Sequence, residues 1–260
     1  MINDIRKFYS SRNVLSEMVK RNVKNQYRNS VLGALWTLLN PLLYMIVLSF
    51  VFSNIFNRNG EIGCYPVYLL AGTIIFDLFR NSTCCGLVSI VDNNSLLTRV
   101  KIHQKIFPIT SLLSNSVNFG FAFVALILVM LILRQPFYWT ILLSILMIPA
   151  LQMFILGISY FLAAMYVFFR DVQHIYSIFV TLWMYLTPIF YTTNVLPDNL
   201  QAILRFNPMY HYVTFFRDVV MYGQVPKLLD WVIIFGCGIV SICIGSLVFN
   251  ASKKKFILYI

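Results

Sequence analysis

Residues 28–43 read Arg-Asn-Ser-Val-Leu-Gly-Ala-Leu-Trp-Thr-Leu-Leu-Asn-Pro-Leu-Leu and join a basic segment directly to a long apolar one. No charged residue occurs in residues 31–56, a run long enough to span a bilayer at about 1.5 Å per residue. Upstream, apolar residues recur every four positions from Leu15 to Tyr27, beside a stripe of basic residues. The sequence therefore predicts an amphipathic interfacial helix within residues 1–30 that leads into a membrane span.

The rest of the chain has the composition of a membrane protein. Of its 260 residues, 59% are hydrophobic and only 11% are charged, and soluble domains are far more polar. Six apolar segments are long enough to be spans: residues 31–56, 65–91, 106–133, 138–168, 175–191 and 231–249. We predict an all-α integral membrane protein in which residues 31–260 form one transmembrane domain with six helices.

The charge distribution predicts how the chain is oriented. Fourteen basic residues lie in the two termini and in the connections after the second and fourth spans, and five lie in the opposite loops. By the positive-inside rule both termini are cytoplasmic. The net charge of +11 lies mainly at the membrane edges, which favours anionic lipid headgroups as partners over nucleic acid.

Two segments are neither typical loops nor spans. Residues 192–230 are too apolar for a solvated loop and contain Asn207-Pro208 as a helix break, so they predict a re-entrant helical hairpin. An amphipathic pair of helices on the outer surface is the alternative. Residues 92–105 contain Asn94 and Ser95, either of which could cap a short cytoplasmic helix. Such a helix could dock a soluble partner, or the segment could be a loop with one helical turn.

The second span carries the one pair of charges predicted inside the membrane, Asp77 and Arg80. Three residues apart on one helix face, they most simply form a salt bridge, and contact with a substrate is the alternative. Seven aromatic residues on the first span, the fifth span and the hairpin could contact sugars, or could pack against lipid. They are Tyr44, Trp183, Tyr185, Phe190, Tyr191, Tyr210 and Tyr212.

The sequence lacks the common motifs for nucleotide binding, metal binding and catalysis. The chain has no Gly-x-x-x-x-Gly-Lys-Ser/Thr string, so ATP and Mg²⁺ would have to be bound by another chain. The five cysteines and three histidines do not have metal-ligand spacing. We predict no catalytic residue, no metal site and no cofactor bound by this chain.

Several short strings, in order, resemble the permease subunit of ABC-2-type polysaccharide exporters, a group that exports O-antigen, capsule or teichoic acid. The strings are Tyr27-Arg28, Ser30-Val31-Leu32-Gly33 with Trp36, Asn40-Pro41, Phe169-Arg170-Asp171-Val172, Thr187-Pro188-Ile189-Phe190-Tyr191, Leu196-Pro197, Asn207-Pro208 and Phe216-Arg217. The resemblance implies a homodimer in the bacterial cytoplasmic membrane, working with a separate ABC ATPase. It also implies a lipid-linked polysaccharide that moves from the cytoplasmic to the outer leaflet.

Three groups of candidate site residues follow. The resemblance implies contact with the ATPase at Ser95, Leu96, Arg99, Lys101, Arg170 and Asp171. The opening junction suggests an entrance gate or lipid-headgroup site at Lys20, Lys24, Arg28 and Trp36, or else a simple anchor. Candidates for the translocation path are Tyr44, Asp77, Arg80, Trp183, Tyr185, Tyr191 and Tyr210.

Two other functions remain open at this point. An ABC-2 permease for a drug or another amphipathic lipid would share the spans but usually lacks the Leu-Gly-x-x-Trp string. A membrane-embedded transferase would need acidic residues or histidines gathered at one membrane face. His103, His174 and His211 are far apart in the sequence and do not supply such a cluster.

Overall fold

The computed structural model describes residues 12–28, 30, 32–33, 35–56, 63–99, 103–253 and 255–259. Within these ranges the regular elements are helices, and no strand occurs. The α-helices are α1 (Arg12–Gln26), α2 (Leu35–Phe56), α3 (Tyr65–Asp92), α4 (Asn94–Arg99), α5 (Ile106–Ile132), α6 (Leu143–Phe168), α7 (Val172–Leu186), α8 (Asp198–Leu204), α9 (Pro208–Val220), α10 (Leu228–Ser252) and α11 (Phe256–Tyr259). Short 3-10 helices, Trp139–Leu142 and Thr193–Val195, precede α6 and α8. The all-α prediction is confirmed for these ranges.

Five helical stretches of the described chain are long and apolar enough to cross a membrane: α2, α3, α5, α6 with its preceding 3-10 turn, and α10. Helix α7 is apolar but has only 15 residues, a length of about 22 Å against a hydrocarbon thickness of about 30 Å. Five of the six predicted spans are thus confirmed as helices of sufficient length. The stretch 175–191, predicted as one span, is not a continuous helix.

The end of α7 has a local cause. Thr187 precedes Pro188, and a residue before proline is disfavoured in the helical conformation. Thr187 is accordingly extended, with φ −85° and ψ 130°. The predicted helical boundary at Tyr191 is therefore wrong, and residues 187–191 form an irregular segment.

Arg217 of α9 holds this irregular segment. Its side chain is only 4% exposed. It donates from Nη1 to the Pro188 carbonyl oxygen at 2.7 Å and from Nη2 to that of Ile189 at 2.9 Å. The guanidinium also donates to the Tyr68 carbonyl of α3 and lies 3.5 Å from the centre of the Tyr68 ring. Arg217 counts among the outer-loop charges in the sequence, but in the structure it belongs to the core.

Two tyrosines of α3 complete the contacts to the irregular segment. The Tyr65 hydroxyl donates to the Phe190 carbonyl at 2.8 Å, and the Tyr68 hydroxyl donates to the Tyr191 carbonyl at 2.9 Å. Four successive carbonyl oxygens from Pro188 onward therefore accept hydrogen bonds from side chains. Since a buried carbonyl needs a partner, these bonds permit the chain to leave the helix inside the bundle.

Helix α3 is central, because α2, α5, α6, α7 and α9 all pack against it. Helices α6 and α10 form the closest pair in the described bundle. A Cβ atom on Gly245 would overlap the Gly157 carbonyl, and one on Gly157 would overlap the backbone of Ser241. Small residues thus permit backbone contact between these two helices, as is common in membrane proteins.

Helix α9 packs inside the bundle. Asn207, at its start, accepts from Trp183 Nε1 at 2.8 Å through its side-chain oxygen. The hydroxyl of Tyr212 donates to the carbonyls of Ala150 in α6 and Ile234 in α10. With the bonds from Arg217 to α3, the residues predicted as a hairpin therefore include a helix held by polar contacts to four other helices.

Helix α1 runs beside α5. Met18 packs against Ile106 and Phe107, and the Tyr27 hydroxyl donates to Asn118 Oδ1 at 2.8 Å. From Phe107 to Asn118, α5 rises about 16 Å. The apolar stripe of α1 thus contacts protein along much of its length, and a position flat in the headgroup region stays a prediction.

Replacing Arg217 tests the importance of its contacts. Arg217→Gln leaves buried carbonyl oxygens without their charged donor, so we expect a loss of about 3 kcal/mol in the free energy of unfolding. The measurement is the thermal unfolding of the purified chain in detergent. Arg134→Gln is the control, because Arg134 is an exposed arginine in a turn. Equal unfolding temperatures for the two variants would contradict the prediction.

Candidate functional site

A cleft of about 350 Å³ opens between α2, α3 and α5, and the ends of α1 and α7 reach into it. Its apolar lining includes Phe76, Phe119, Met184 and Ile189. More than half of its lining residues are polar or charged, which is unusual inside an apolar bundle. These are Gln26, Thr37, Asn40, Tyr44, Thr73, Asp77, Arg80, Asn81, Asn115 and Asn118.

Carboxamide side chains are the most frequent polar group in the cleft. Asn118 connects two helices, since it donates to Gln26 Oε1 at 2.9 Å while accepting from Tyr27. Asn115, one turn away, donates to the Ser111 carbonyl at 2.9 Å. An amide both donates and accepts hydrogen bonds. The cleft can therefore bond hydroxyl groups of a ligand without introducing net charge.

Asp77 and Arg80 lie in this cleft, but the predicted salt bridge between them is wrong. They interact electrostatically, yet no ion pair joins them among the described residues, where Glu17 and Lys20 do form one. Neither side chain makes a hydrogen bond to the described part of the chain. Both side chains line the cleft without forming an ion pair with each other.

The aromatic candidates divide between the cleft and the surrounding structure. Tyr44 lines the cleft and is 50% exposed. Tyr185 is exposed on α7 beside the cleft, where its ring contacts Phe190. Three of the seven residues predicted for the path, Tyr44, Asp77 and Arg80, therefore line the cleft, and Tyr185 is next to the lining residue Met184.

The other three path candidates lie elsewhere. Trp183 packs with Phe79 and Phe154 in the core. Tyr191 belongs to the irregular segment and donates to the Tyr185 carbonyl. Tyr210 lines a second cavity, next to α10.

The predicted gate residues surround the junction between α1 and α2. Lys24 and Arg28 are exposed, and Trp36 is 42% exposed at the start of α2. Lys20 pairs with Glu17 at 2.9 Å on the surface, a contact that contributes little energy. Because Gln26 lines the cleft, the junction and the cleft are contiguous.

Two of the predicted ATPase contacts, Ser95 and Leu96, lie on α4. Ser95 is exposed on α4, whereas Leu96 packs toward Met18 of α1 and the start of α5. Arg21 of α1 donates to Asn93 Oδ1 at 3.0 Å, directly before α4. Leu96 therefore joins α1 to α4, and its contact with the ATPase stays a prediction. Arg99 is the last residue of α4, and Lys101 lies outside the described residues.

The second pair of predicted ATPase contacts, Arg170 and Asp171, directly precedes α7. Arg170 and Asp171 are both exposed, and the Arg170 guanidinium lies 5.0 Å from the centre of the Tyr166 ring. Arg170 also interacts electrostatically with Asp92 at the end of α3. The two connections predicted to face the ATPase thus lie close together.

Sequence reasoning did not identify the carboxamides of the cleft. A signal was present, because Asn81 lies one turn from Asp77, and Asn115 and Asn118 lie three residues apart within a predicted span. Polar residues at helical spacing inside a span indicate a polar face. Their convergence with Asn40 depends on helix packing, which the sequence does not reveal.

Comparison with known proteins identifies similar chains. The sequence profile described as ABC-2 type transporter matches residues 13–221. The O-antigen export system permease protein RfbA of Myxococcus xanthus is 29% identical over 98% of each chain. The protein of the same name from Klebsiella pneumoniae is 27% identical over 94% of this chain and 93% of its own length. The polysialic acid transport protein KpsM of Escherichia coli is 24% identical over 80% of this chain and 81% of its own.

Cysteine accessibility tests whether the cleft contains water. In a cysteine-free variant, Asn81→Cys places a thiol at an exposed position beside the cleft, and Ser82→Cys places one at a fully buried position. We expect a charged, membrane-impermeant maleimide to label the first and not the second, because the reactive thiolate forms only in a polar environment. Equal labelling of the two variants would contradict an aqueous cleft.

Proposed function

Because this chain belongs to the ABC-2 type transporter family, we propose that it is the membrane subunit of an ATP-driven exporter of a cell-surface polysaccharide. The observation that carries the proposal is similarity over almost the whole chain to O-antigen export permeases. A permease for polysialic acid matches over most of the chain as well. The ATP and Mg²⁺ are bound by a separate ATPase chain, and this subunit performs no chemistry.

The cleft supports a role in contacting the transported molecule. Sugars offer many hydroxyl groups and apolar ring faces, which match carboxamides next to the ring of Tyr44. The guanidinium of Arg80 suits a phosphate group, such as those that join glycans to lipid carriers. We propose a lipid-linked polysaccharide as the substrate. It enters at the junction of α1 and α2, with Lys24 and Arg28 beside its headgroup.

The exposed faces of α2 and α7 support a homodimer. Both helices flank the cleft, and their outward residues include Val47, Phe50, Ile178 and Leu182, each at least 60% exposed. A second copy that covers these faces would enclose the cleft between the two chains. The lipid tails of the membrane would then cover the remaining apolar surface.

The contacts of α7 support a sixth crossing. The Tyr176 hydroxyl donates to Thr83 near the inner part of α3, and the Phe190 carbonyl accepts from Tyr65 at its outer end. The 18 residues between Thr83 and Tyr65 cover about 27 Å of helix α3. Helix α7 together with residues 187–191 therefore spans nearly the thickness of the hydrocarbon core.

The position of Asn207 supports a re-entrant hairpin in residues 192–230. Asn207 bonds to Trp183, whose ring packs on Phe79 and Phe154 in the middle of the bundle. With six crossings, both termini face the cytoplasm of a bacterial inner membrane, and the hairpin enters from the outer side.

A reconstituted exporter tests the function and the role of the cleft. With the ATPase partner and ATP in proteoliposomes, the wild-type chain should move a lipid-linked glycan across the membrane. The double variant Asp77→Asn with Arg80→Gln should export at least about tenfold less, because a hydrogen bond to a charged group contributes about 1.5–3 kcal/mol.

The matched control removes two exposed charges away from the cleft, Arg134→Gln with Asp198→Asn. It should export at the wild-type rate. Absence of glycan transport by the wild-type complex would overturn the proposed function. Full transport by the double variant would overturn only the assignment of the cleft.

Charge reversal tests the coupling to ATP hydrolysis. Arg99→Glu or Lys101→Glu should lower transport and partner-stimulated ATP hydrolysis together, because reversed charge weakens the contact with the ATPase. The readouts are phosphate release and co-purification of the ATPase with the permease. Arg134→Glu, on the opposite side, is the control and should leave both unchanged. Unaltered hydrolysis in the α4 variants would indicate a different docking surface.

A further inference from the structure

A second cavity, of about 600 Å³, lies between α9 and α10 on the side of α9 away from the cleft. Residues of α9 spaced by three or four positions line one wall: His211, Thr214 and Asp218. Residues of α10 with the same spacing line the other wall, and they include Asp230 and Cys237. The cavity is therefore a groove between two antiparallel helices.

Opposite charges occupy opposite ends of this groove. Asp218 and Asp230 lie near the turn between α9 and α10, which is the outer end in the proposed topology. Arg205 lies before the start of α9, where its carbonyl accepts from His211 Nε2 at 2.8 Å. A ligand in the groove would thus meet two carboxylates near the outer surface and one guanidinium deeper in the membrane.

Hydrogen bonds and ion pairs within the described chain engage these charged side chains only in part, although the buried Arg217 guanidinium attracts the Asp218 carboxylate. The carboxylate of Asp218 and the guanidinium of Arg205 make no hydrogen bond or ion pair to the residues that the structure describes. Asp230 accepts one bond, from the backbone amide of Lys227 at 2.9 Å. Burial and the nearby Asp230 carboxylate raise the pKa of Asp218 to about 6, so a cation between the two carboxylates would relieve their repulsion.

The rim of the groove is apolar and exposed. Phe206 is 88% exposed, Leu228 79% and Leu229 67%. Large apolar side chains with this exposure suit contact with lipid tails. Polar groups inside an apolar rim suit an amphipathic occupant, with a charged headgroup in the groove and lipid tails against the rim.

We propose that this groove binds the headgroup of an aminophospholipid of the phosphatidylethanolamine class in the outer leaflet. The ammonium group lies between Asp218 and Asp230, and the phosphate lies at Arg205. In such a lipid the ammonium is the outermost group and the phosphate is nearer to the tails, the same order as the charges in the groove. The proposal rests on the topology given under the proposed function, but not on the identity of the transported glycan.

Lipid retention by the purified chain tests the site without ATPase or glycan. The chain is equilibrated with mixed micelles of phosphatidylethanolamine and phosphatidylglycerol, and retained lipid is counted by native mass spectrometry. The wild type should retain phosphatidylethanolamine in preference to phosphatidylglycerol, which has the phosphate but lacks the amine. Asp218→Asn with Asp230→Asn should reduce that retention about tenfold, the effect of removing charge-assisted hydrogen bonds.

Two further variants and a second readout keep the test specific. Asp198→Asn removes an exposed carboxylate of the same outer segment and should retain lipid as the wild type does. Arg205→Gln should weaken retention of both lipids, because it removes the phosphate partner. Added phosphatidylethanolamine should raise the unfolding temperature of the wild type and leave that of the double variant unchanged. A cooperative unfolding transition of the double variant shows that it folds.

Several results would overturn the site. Equal retention of the two lipids by the wild type would exclude recognition of the amine. Undiminished retention by the double variant would exclude the carboxylates. A rise in the unfolding temperature on addition of a soluble oligosaccharide, without a rise on addition of phosphatidylethanolamine, would assign the groove to the glycan instead. Because none of these measurements involves transport, their failure is distinguishable from failure of the proposed function.

Discussion

The hydrogen bonds between the Arg217 guanidinium and three backbone carbonyl oxygens join parts of the bundle that are far apart in the sequence. Removing a cation from water costs several kcal/mol unless other dipoles replace its hydration. Here the carbonyls of Tyr68, Pro188 and Ile189, with the ring of Tyr68, replace it. No carboxylate of the described residues bonds to this cation, so each carbonyl matters. Helix α9, helix α3 and the irregular segment are therefore positioned together.

The same interaction shapes the cleft. Gly72 of α3 lies against the guanidinium, and a Cβ atom there would overlap Arg217. The next residue, Thr73, lines the cleft, as does Ile189, whose carbonyl bonds to the guanidinium. One wall of the candidate site is thus held by a residue that does not itself reach the site. Arg217 therefore connects the hairpin residues directly to this wall of the cleft.

The fold was predictable wherever one local property decides the structure. Long uncharged runs require helices in a membrane, because backbone groups have no other partners there, and five such runs are helices of spanning length. The end of α7 was visible in Thr187-Pro188, but its consequences were not. The partners of that segment are Tyr65, Tyr68 and Arg217, and only the packed bundle brings them together.

The candidate site was predictable only in part for a similar reason. Asp77 and Arg80 were identified because charge inside a span is rare. Their pairing was wrong because spacing along a helix does not determine side-chain direction. The carboxamides were missed because each of them alone resembles an ordinary polar residue. What distinguishes Asn118 is its set of partners on α1, which lies more than 90 residues away in the sequence.

Those partners connect α1 both to α4 and to the cleft. One end of α1 packs with Leu96 of α4 and Phe107 of α5, and the other end bonds to Asn118 beside the cleft. A helix resists bending because its backbone hydrogen bonds are internal. Displacing α4 relative to α5 would therefore move α1 as a unit and change the environment of Gln26 in the cleft. The basic residue Arg28 lies just after α1, at the end of the helix that borders the cleft.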